Sequence, residues 1–329
     1  MLPAILAFIL LIAFPEAASS GALAGLRQCG MKVIPSLFPF FVFSRLIASK
    51  MPPVSWNGMK RCFGVSGSVL PALLLSFLGG YPVGISTLVT MYEQGQITRQ
   101  DAQRAMVFCN NSGPGIFTGL IGGVVFKSIS AGLWLYGIHV ISALICGTLF
   151  AKAPTEAELR RCPPEPVPFS SAFAESVSGA ASAMLQVSAY VILFSVFSAL
   201  LSSFSFFESI PAPVQALIMG ALEMTSGLSA LEATTCGFIS AAAIMGWGGL
   251  CVHLQAMSLW QKADLHPAGY WAEKLLHAGL SACLAAALCQ NVIFFCLLLL
   301  FLLFVIIINA ILKKHMAKGP RVLYNRNAR

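Results

Sequence analysis

The chain has 329 residues, of which 57% are hydrophobic and only 10% are charged. A soluble domain is roughly 45–50% apolar and about 25% charged, so this composition excludes a disordered chain, a nucleic-acid-binding domain and an ordinary soluble enzyme. The formal net charge of +8 is unevenly placed: residues 313–329 carry Lys313, Lys314, Lys318, Arg321, Arg326 and Arg329 and no acid, leaving 14 bases against 12 acids elsewhere. Such a tail anchors on anionic lipid and predicts a cytoplasmic C-terminus of a multi-pass protein in the cytoplasmic membrane.

A spanning helix needs about 20 mostly apolar residues. The first candidate is 2–18, with Pro15 and Glu16 near its end. No Lys or Arg precedes its apolar run, so it reads as a retained membrane helix rather than a cleaved signal peptide. The second runs from Met31 to Ala48 around Pro35 and Pro39, and Arg45 near its end reads as an interfacial snorkel. A more polar stretch, Ser49 to Gly67, follows. The third segment, 68–92, is broken by Gly79-Gly80-Tyr81-Pro82, and the fourth, 103–126, by Asn110-Asn111-Ser112-Gly113-Pro114. Between them, Thr98 and Asp101 form a capping-box variant, which predicts a helix from Thr98 into the Asn-Asn break. In the fourth segment Gly115, Gly119 and Gly123 repeat the G-x-x-x-G spacing of close helix packing. The fifth segment is 131–151.

Residues 152–168 hold five prolines with both charge signs and read as an aqueous linker. Beyond it lie segments at 173–204, 212–231, 234–260, 270–289 and 292–312. Lys262 and Lys274 read as cytoplasmic loop residues. Three segments between the linker and that loop give the wrong parity, which one re-entrant segment resolves. Ten cysteines lack any C-x-x-C or zinc spacing; those in apolar runs, such as Cys146 and Cys251, behave as small hydrophobes. No metal, cofactor or disulfide framework is expected.

The two halves share pieces in the same order. Phe40–Leu46 (FFVFSRL) parallels Phe194–Leu200 (FSVFSAL), Gly84–Leu88 parallels Gly227–Leu231, and Asn111-Ser112-Gly113 parallels Trp247-Gly248-Gly249. The expected fold is an all-α polytopic membrane protein of about eight to ten segments, with two pseudo-symmetric, inverted repeats and broken or re-entrant helices. The divisions are an N-terminal helix (1–20), a first repeat (21–151), the linker (152–168), a second repeat (169–290), a final helix (291–312) and the basic tail (313–329).

Breaks at membrane depth free backbone donors and acceptors, which are tolerated only when buried or lining a wet cavity. Gly79, Gly80, Pro82, Gly113, Pro114, Gly248 and Gly249 are the helix-breaking residues. Beside them stand the candidate solute-binding residues Tyr81, Asn110, Asn111, Ser112, Glu223, Thr225, Ser226, His253 and Gln255. Glu223 is the leading ionisable group, since a charge inside a membrane segment is costly and marks pathways. Glu232 is a weaker candidate, and His139, with no break beside it, reads as structural. No nucleophile elbow, zincin helix or nucleotide-binding loop occurs, so no enzymatic activity is expected.

The stretches Phe77–Gly84, Tyr92–Gly95 and Phe108–Pro114, with Gly246–Gln255 later, resemble the sporulation integral membrane protein YlbJ family. The resemblance covers most of residues 20–290. It implies a nucleoside-recognition Gate domain, a cytoplasmic membrane location and a link to spore cortex formation. Cys251 stands where that pattern implies Ser. A carrier for a small polar solute or cation is the expected function. The alternative is a non-transporting scaffold in a sporulation or envelope complex. The lipid bilayer is the first partner. Nucleic acid is not expected, and a homo-oligomer or a sporulation membrane partner stays open.

Overall fold

The computed structural model describes residues 1–50, 56–152 and 168–316, and among them every regular element is a helix. Helix α1 (Leu2–Ala13) is about 18 Å long at 1.5 Å per residue, too short to span a bilayer alone. Phe14 leaves the helical region, and Pro15 opens α2 (Pro15–Gln28), where its missing N–H costs nothing. The two arms meet at 103°. This corrects the single helix expected over 2–18: Pro15 starts a helix there rather than ending one.

A π-helical turn, Cys29–Val33, leads into α3 (Ile34–Lys50). Next come α4 (Asn57–Phe63), α5 (Leu70–Gly79), α6 (Val83–Glu93) and α7 (Arg99–Met106). A π-helical stretch (Ile116–Val125) and α8 (Ile129–Leu149) complete the first half. The second half holds α9 (Phe169–Ser202), the short α10 (Ser205–Glu208), α11 (Ala212–Leu222), α12 (Met224–Ser229), α13 (Thr235–Trp247), α14 (Leu250–Lys262), α15 (Tyr270–Gln290) and α16 (Val292–Met316). The expected linker falls on 153–167 and the end of the basic tail on 317–329, both outside the described residues.

Among the described residues, α8, α9, α15 and the 235–262 run formed by α13 and α14 together are long and apolar enough to cross a membrane. The bent pairs in 4–31 and 57–79 bring the number to six if each is one span. Leu37–Ser49, Ile116–Val125, Ala212–Leu222 and Val292–Ile308 are shorter apolar helices. This is a multi-pass membrane protein. Its outer surface agrees: Leu185, Ile293, Leu300 and Phe304 are exposed, while Asn110, His139, Glu273 and Lys274 are buried. Water would penalise that arrangement, and lipid does not.

Three apolar clusters hold the helices together, and each draws on both sides of the linker. Ile85 and Phe108 share one with Trp260, Phe117 and Leu135 another with Met245, and Phe41 a third with Phe194. Helices α2 and α9 pack backbone against backbone. A Cβ at Gly21 would lie 2.8 Å from the Ser195 carbonyl, and one at Gly25 2.7 Å from Ile192 Cα. Small residues let these backbones touch. Gly115 and Gly119, expected to pack closely, instead meet no neighbour within 4 Å. Their π-helical stretch turns Phe117 and Ile121 inward and leaves these glycines outside.

Candidate functional site

Helix α5 stops at Gly79, because Gly80 takes φ +78° and Val83 restarts the helix as α6. Only glycine adopts such a backbone without cost. Thr98 caps α7, accepting the Asp101 N–H at 3.0 Å. Asp101 itself accepts from the Ser66 N–H at 3.1 Å, so the box closes onto a neighbouring turn rather than onto Thr98. The expected start at Thr98 holds, but α7 ends at Met106, and a turn at 107–108 leads to the Asn-Asn break. In the second half, α11 ends at Leu222, Glu223 is extended, and α12 folds back. A Cβ at Gly227 would sit 2.3 Å from Gly220 Cα, so seven residues of chain return to the same place. Gly248 (φ +90°) and Gly249 (φ +84°) separate α13 from α14.

These four breaks meet. A Cβ on Gly80 would lie 3.0 Å from the Gly113 nitrogen, joining the two first-half breaks. The Tyr81 hydroxyl donates to the Met245 carbonyl at 3.0 Å and lies against Gly248. A Cβ on Gly249 would stand 3.0 Å from the Met224 nitrogen and 3.2 Å from the Gly220 carbonyl. The Trp247 indole N–H donates to the Ala221 carbonyl at 3.0 Å, and its ring lies 4.3 Å from that of His253. The breaks thus lie against one another, and the centre they enclose is buried and polar.

Glu223 is only 3% exposed and is satisfied by its own turn. Its Oε1 accepts the Thr225 N–H at 3.1 Å. Its Oε2 accepts the Ser226 N–H and hydroxyl, each at 2.8 Å, and the Thr225 hydroxyl at 2.6 Å. Gln28 of α2 donates its amide to the Thr225 hydroxyl. Glu223, Thr225 and Ser226 therefore form one unit, a carboxylate N-cap held at a helix N-terminus.

The second polar unit gathers around α15. Asn110 donates its amide to the Tyr270 hydroxyl at 2.6 Å, and that hydroxyl lies 2.9 Å from His253 Nδ1. Lys274 donates to the Asn110 carbonyl at 2.8 Å and sits 3.2 Å from Glu273 Oε2. Both charged side chains are fully buried. His277 Nε2 lies 3.1 Å from the His139 carbonyl, and Nδ1 is 3.9 Å from Glu273 Oε1. His139 Nε2 accepts the Ser112 N–H at 3.0 Å. Asn111 donates to Ser76 Oγ at 3.0 Å and to the Phe108 carbonyl at 2.8 Å. Several buried atoms here lack a hydrogen-bond partner: Asn110 Oδ1, Asn111 Oδ1, His139 Nδ1, His253 Nε2, His277 Nδ1 and both Glu273 oxygens.

This part of the chain corrects the sequence reading. Lys274, expected in a loop, lies inside α15 beside Glu273, and neither was a candidate. His139, set aside for lack of a break, supports the Asn-Asn break directly. Glu232 is exposed in the turn after α12. The missed signal is the spacing Tyr270, Glu273, Lys274, His277, Ser281 along an otherwise apolar helix, which puts all five on one face; all five are buried.

The chain is 24% identical over 310 aligned residues to the sporulation integral membrane protein YlbJ of Bacillus subtilis (strain 168), an alignment covering 80% of this chain and 76% of that protein. This match supports membership of the YlbJ family. No family model matches the chain, and no solved structure matches it. The motifs that carry the family resemblance, Phe77–Gly84, Phe108–Pro114 and Gly246–Gln255, form three of the four converging breaks; the break at Glu223 lies outside them.

The candidate Gln255, and Arg45, lie apart from both units. Gln255 donates to Cys251 Sγ at 3.1 Å. It lines a small crevice with Pro82, Gln186 and Leu259. Arg45 lies over Gly179 of α9, where a Cβ would come within 2.5 Å of its Nε. Outside the spans, Arg99 pairs with Asp264 at 2.8 Å across the loop before α15. The hydrogen bond and charge of Arg99 hold the Asp264 carboxyl below the usual carboxylate range. Among the described residues no group of three or more His, Cys, Asp or Glu side chains is arranged to hold a metal ion.

Proposed function

We propose that the protein is a carrier that moves a small polar solute or ion across the cytoplasmic membrane, without an enzymatic step. Its relative is named for sporulation, and we assign this chain to the same process, in spore cortex formation, as the family resemblance implies. One observation carries the reading: four helix breaks, two from each half, converge on a buried polar centre. Breaks in corresponding positions of two halves mark carrier binding sites. We place the C-terminus in the cytoplasm and describe the halves as inverted repeats. The fold-back at Glu223 supports this, since a re-entrant α11–α12 pair restores the parity between the linker and the loop before α15. Close-approach glycines at equivalent places, Gly84 against the Cys109 carbonyl and Gly227 against Gly220, also support it.

The test is flux of small polar solutes and cations in proteoliposomes. Glu223→Gln combined with Asn111→Ala should abolish it, and normal flux in that double variant overturns the assignment. A second reading, a membrane scaffold, has its own observation. Gly115, Gly119 and Gly123 are exposed, and among the described residues no other helix lies within 4 Å of where their Cβ atoms would stand, as they would be if a partner helix or a second copy packs there. On that reading Gly119→Leu disrupts assembly while Glu223→Gln is tolerated.

A further inference from the structure

We propose that Glu273 and His277 form a proton-binding site, and that the proton is the ion that couples to solute movement. The proposal rests on the carrier reading and adds the identity of its coupling ion.

Hydrogen-bond partners settle the tautomers without reference to pH. The His139 carbonyl can only accept, so His277 Nε2, 3.1 Å away, carries hydrogen. In its neutral form the His277 Nδ1 is then a bare lone pair. That atom faces Glu273 Oε1 across 3.9 Å, and neither atom has a hydrogen-bond partner. Two acceptors therefore face each other in a fully buried site with no hydrogen between them. One added proton satisfies both. His139 cannot take its place: the Ser112 N–H can only donate, so His139 Nε2 must stay unprotonated. The two imidazoles lie 4.6 Å apart, and only one of them is free to gain charge.

The neighbours make proton loading a switch. Lys274 balances Glu273 at 3.2 Å and also donates to the carbonyl of Asn110 in the first-half break. With Lys274 and Glu273 charged and His277 neutral, the site carries no net charge; the added proton makes it +1. An N–H···O bond requires about 2.7–3.2 Å, so loading draws the Glu273 carboxylate toward His277. It then loosens from Lys274, which holds the break. The other titratable groups facing the site are His139 and Cys146 from α8, Cys109 from the Asn-Asn break and Tyr81 from the α5–α6 break. His253 of α14 reaches it through Tyr270. Among the described residues, α13 and α16 turn no ionisable side chain toward it.

Infrared difference spectroscopy on the full chain in lipid nanodiscs, stepped from about pH 8 to about pH 5, reads the protonation itself. The wild type should show a buried imidazole–carboxylate signal worth one proton per chain. His277→Gln keeps a donor for the His139 carbonyl but has no titrating nitrogen, and should lose that signal. Glu273→Gln should shift or lose it. His266→Gln, at an exposed histidine beside Asp264, should retain it. A signal unchanged in His277→Gln, or absent from the wild type, overturns the proposal, and the wild-type outcome holds whether or not the variants fold. Protein that takes up this proton yet moves no solute keeps the proton site and sinks the carrier reading. Flux that ignores a pH gradient, with no buried protonation, does the reverse.

Discussion

Two buried glutamates divide this molecule. Glu223 sits where the chain turns back, and its carboxylate accepts four hydrogen bonds from Thr225 and Ser226. Glu273 sits in the middle of a helix, ion-paired with Lys274 but with no hydrogen bond to either oxygen. The first charge is stabilised locally, by two N–H groups and two hydroxyls that any isolated turn of this sequence could offer. The second has only the ion pair with its neighbour Lys274, which is itself held by the Asn110 carbonyl 164 residues away. A buried acid that is already satisfied holds structure in place; one that is not is available to do chemistry.

Four perturbations test that contrast, in falling order of effect. Lys274→Met leaves Glu273 buried without its cation and the Asn110 carbonyl without its donor, and should destabilise the protein by about 3–5 kcal/mol. Chemical unfolding in detergent measures this. Combining it with Glu273→Met should recover much of the loss, because the site then holds no charge. If Lys274→Met were no worse than a change at Glu223, the contrast between the two acids would collapse.

Gly249→Ala probes the seam between the regions. Its φ of +84° suits glycine, and the new methyl would stand 3.0 Å from the Met224 nitrogen. Strain and overpacking together should cost about 1–3 kcal/mol, and solute flux should fall with the unfolding midpoint. Glu223→Gln should cost about 1 kcal/mol, since the amide keeps one acceptor oxygen but turns an NH₂ toward donors. A cost above that of Lys274→Met would show that Glu223, not Glu273, is the strained acid.

The smallest effect belongs to Asp264. Its folded carboxyl lies below its unfolded value because of Arg99, so its contribution is present above the usual carboxylate range and fades as pH falls through the folded value. Asp264→Asn should remove that acid-side slope, and added salt should weaken the effect in the wild type. Unfolding midpoints measured across the acid range check the sign.

Much of the fold is legible in the residues because lipid imposes simple rules. Apolar length locates the helices, and glycine, proline and asparagine locate the breaks at Gly80, Asn110 and Gly248. The beginning of α7 follows from Thr98 alone. The site is half legible. Residues at breaks announce themselves, so Tyr81, Asn110, Asn111 and His253 are found. Glu273 and Lys274 are hidden, because a charged pair twelve residues past Lys262 reads as the continuation of a loop. The G-x-x-x-G reading misleads for a related reason: spacing names a face but not its partner. Gly21 and Gly25 meet α9, whereas Gly115 and Gly119 meet nothing within 4 Å among the described residues.

What the sequence determines by itself is local: a membrane solvent, the apolar helices, the places where they break and the cap at Thr98. Each depends on the composition or the backbone preferences of a few adjacent residues. Only the tertiary structure decides which breaks touch, which histidine keeps its lone pair, and that Lys274 lies buried against Asn110, 164 residues away. Those facts depend on groups distant in the chain satisfying one another in a medium that supplies no water to do it instead.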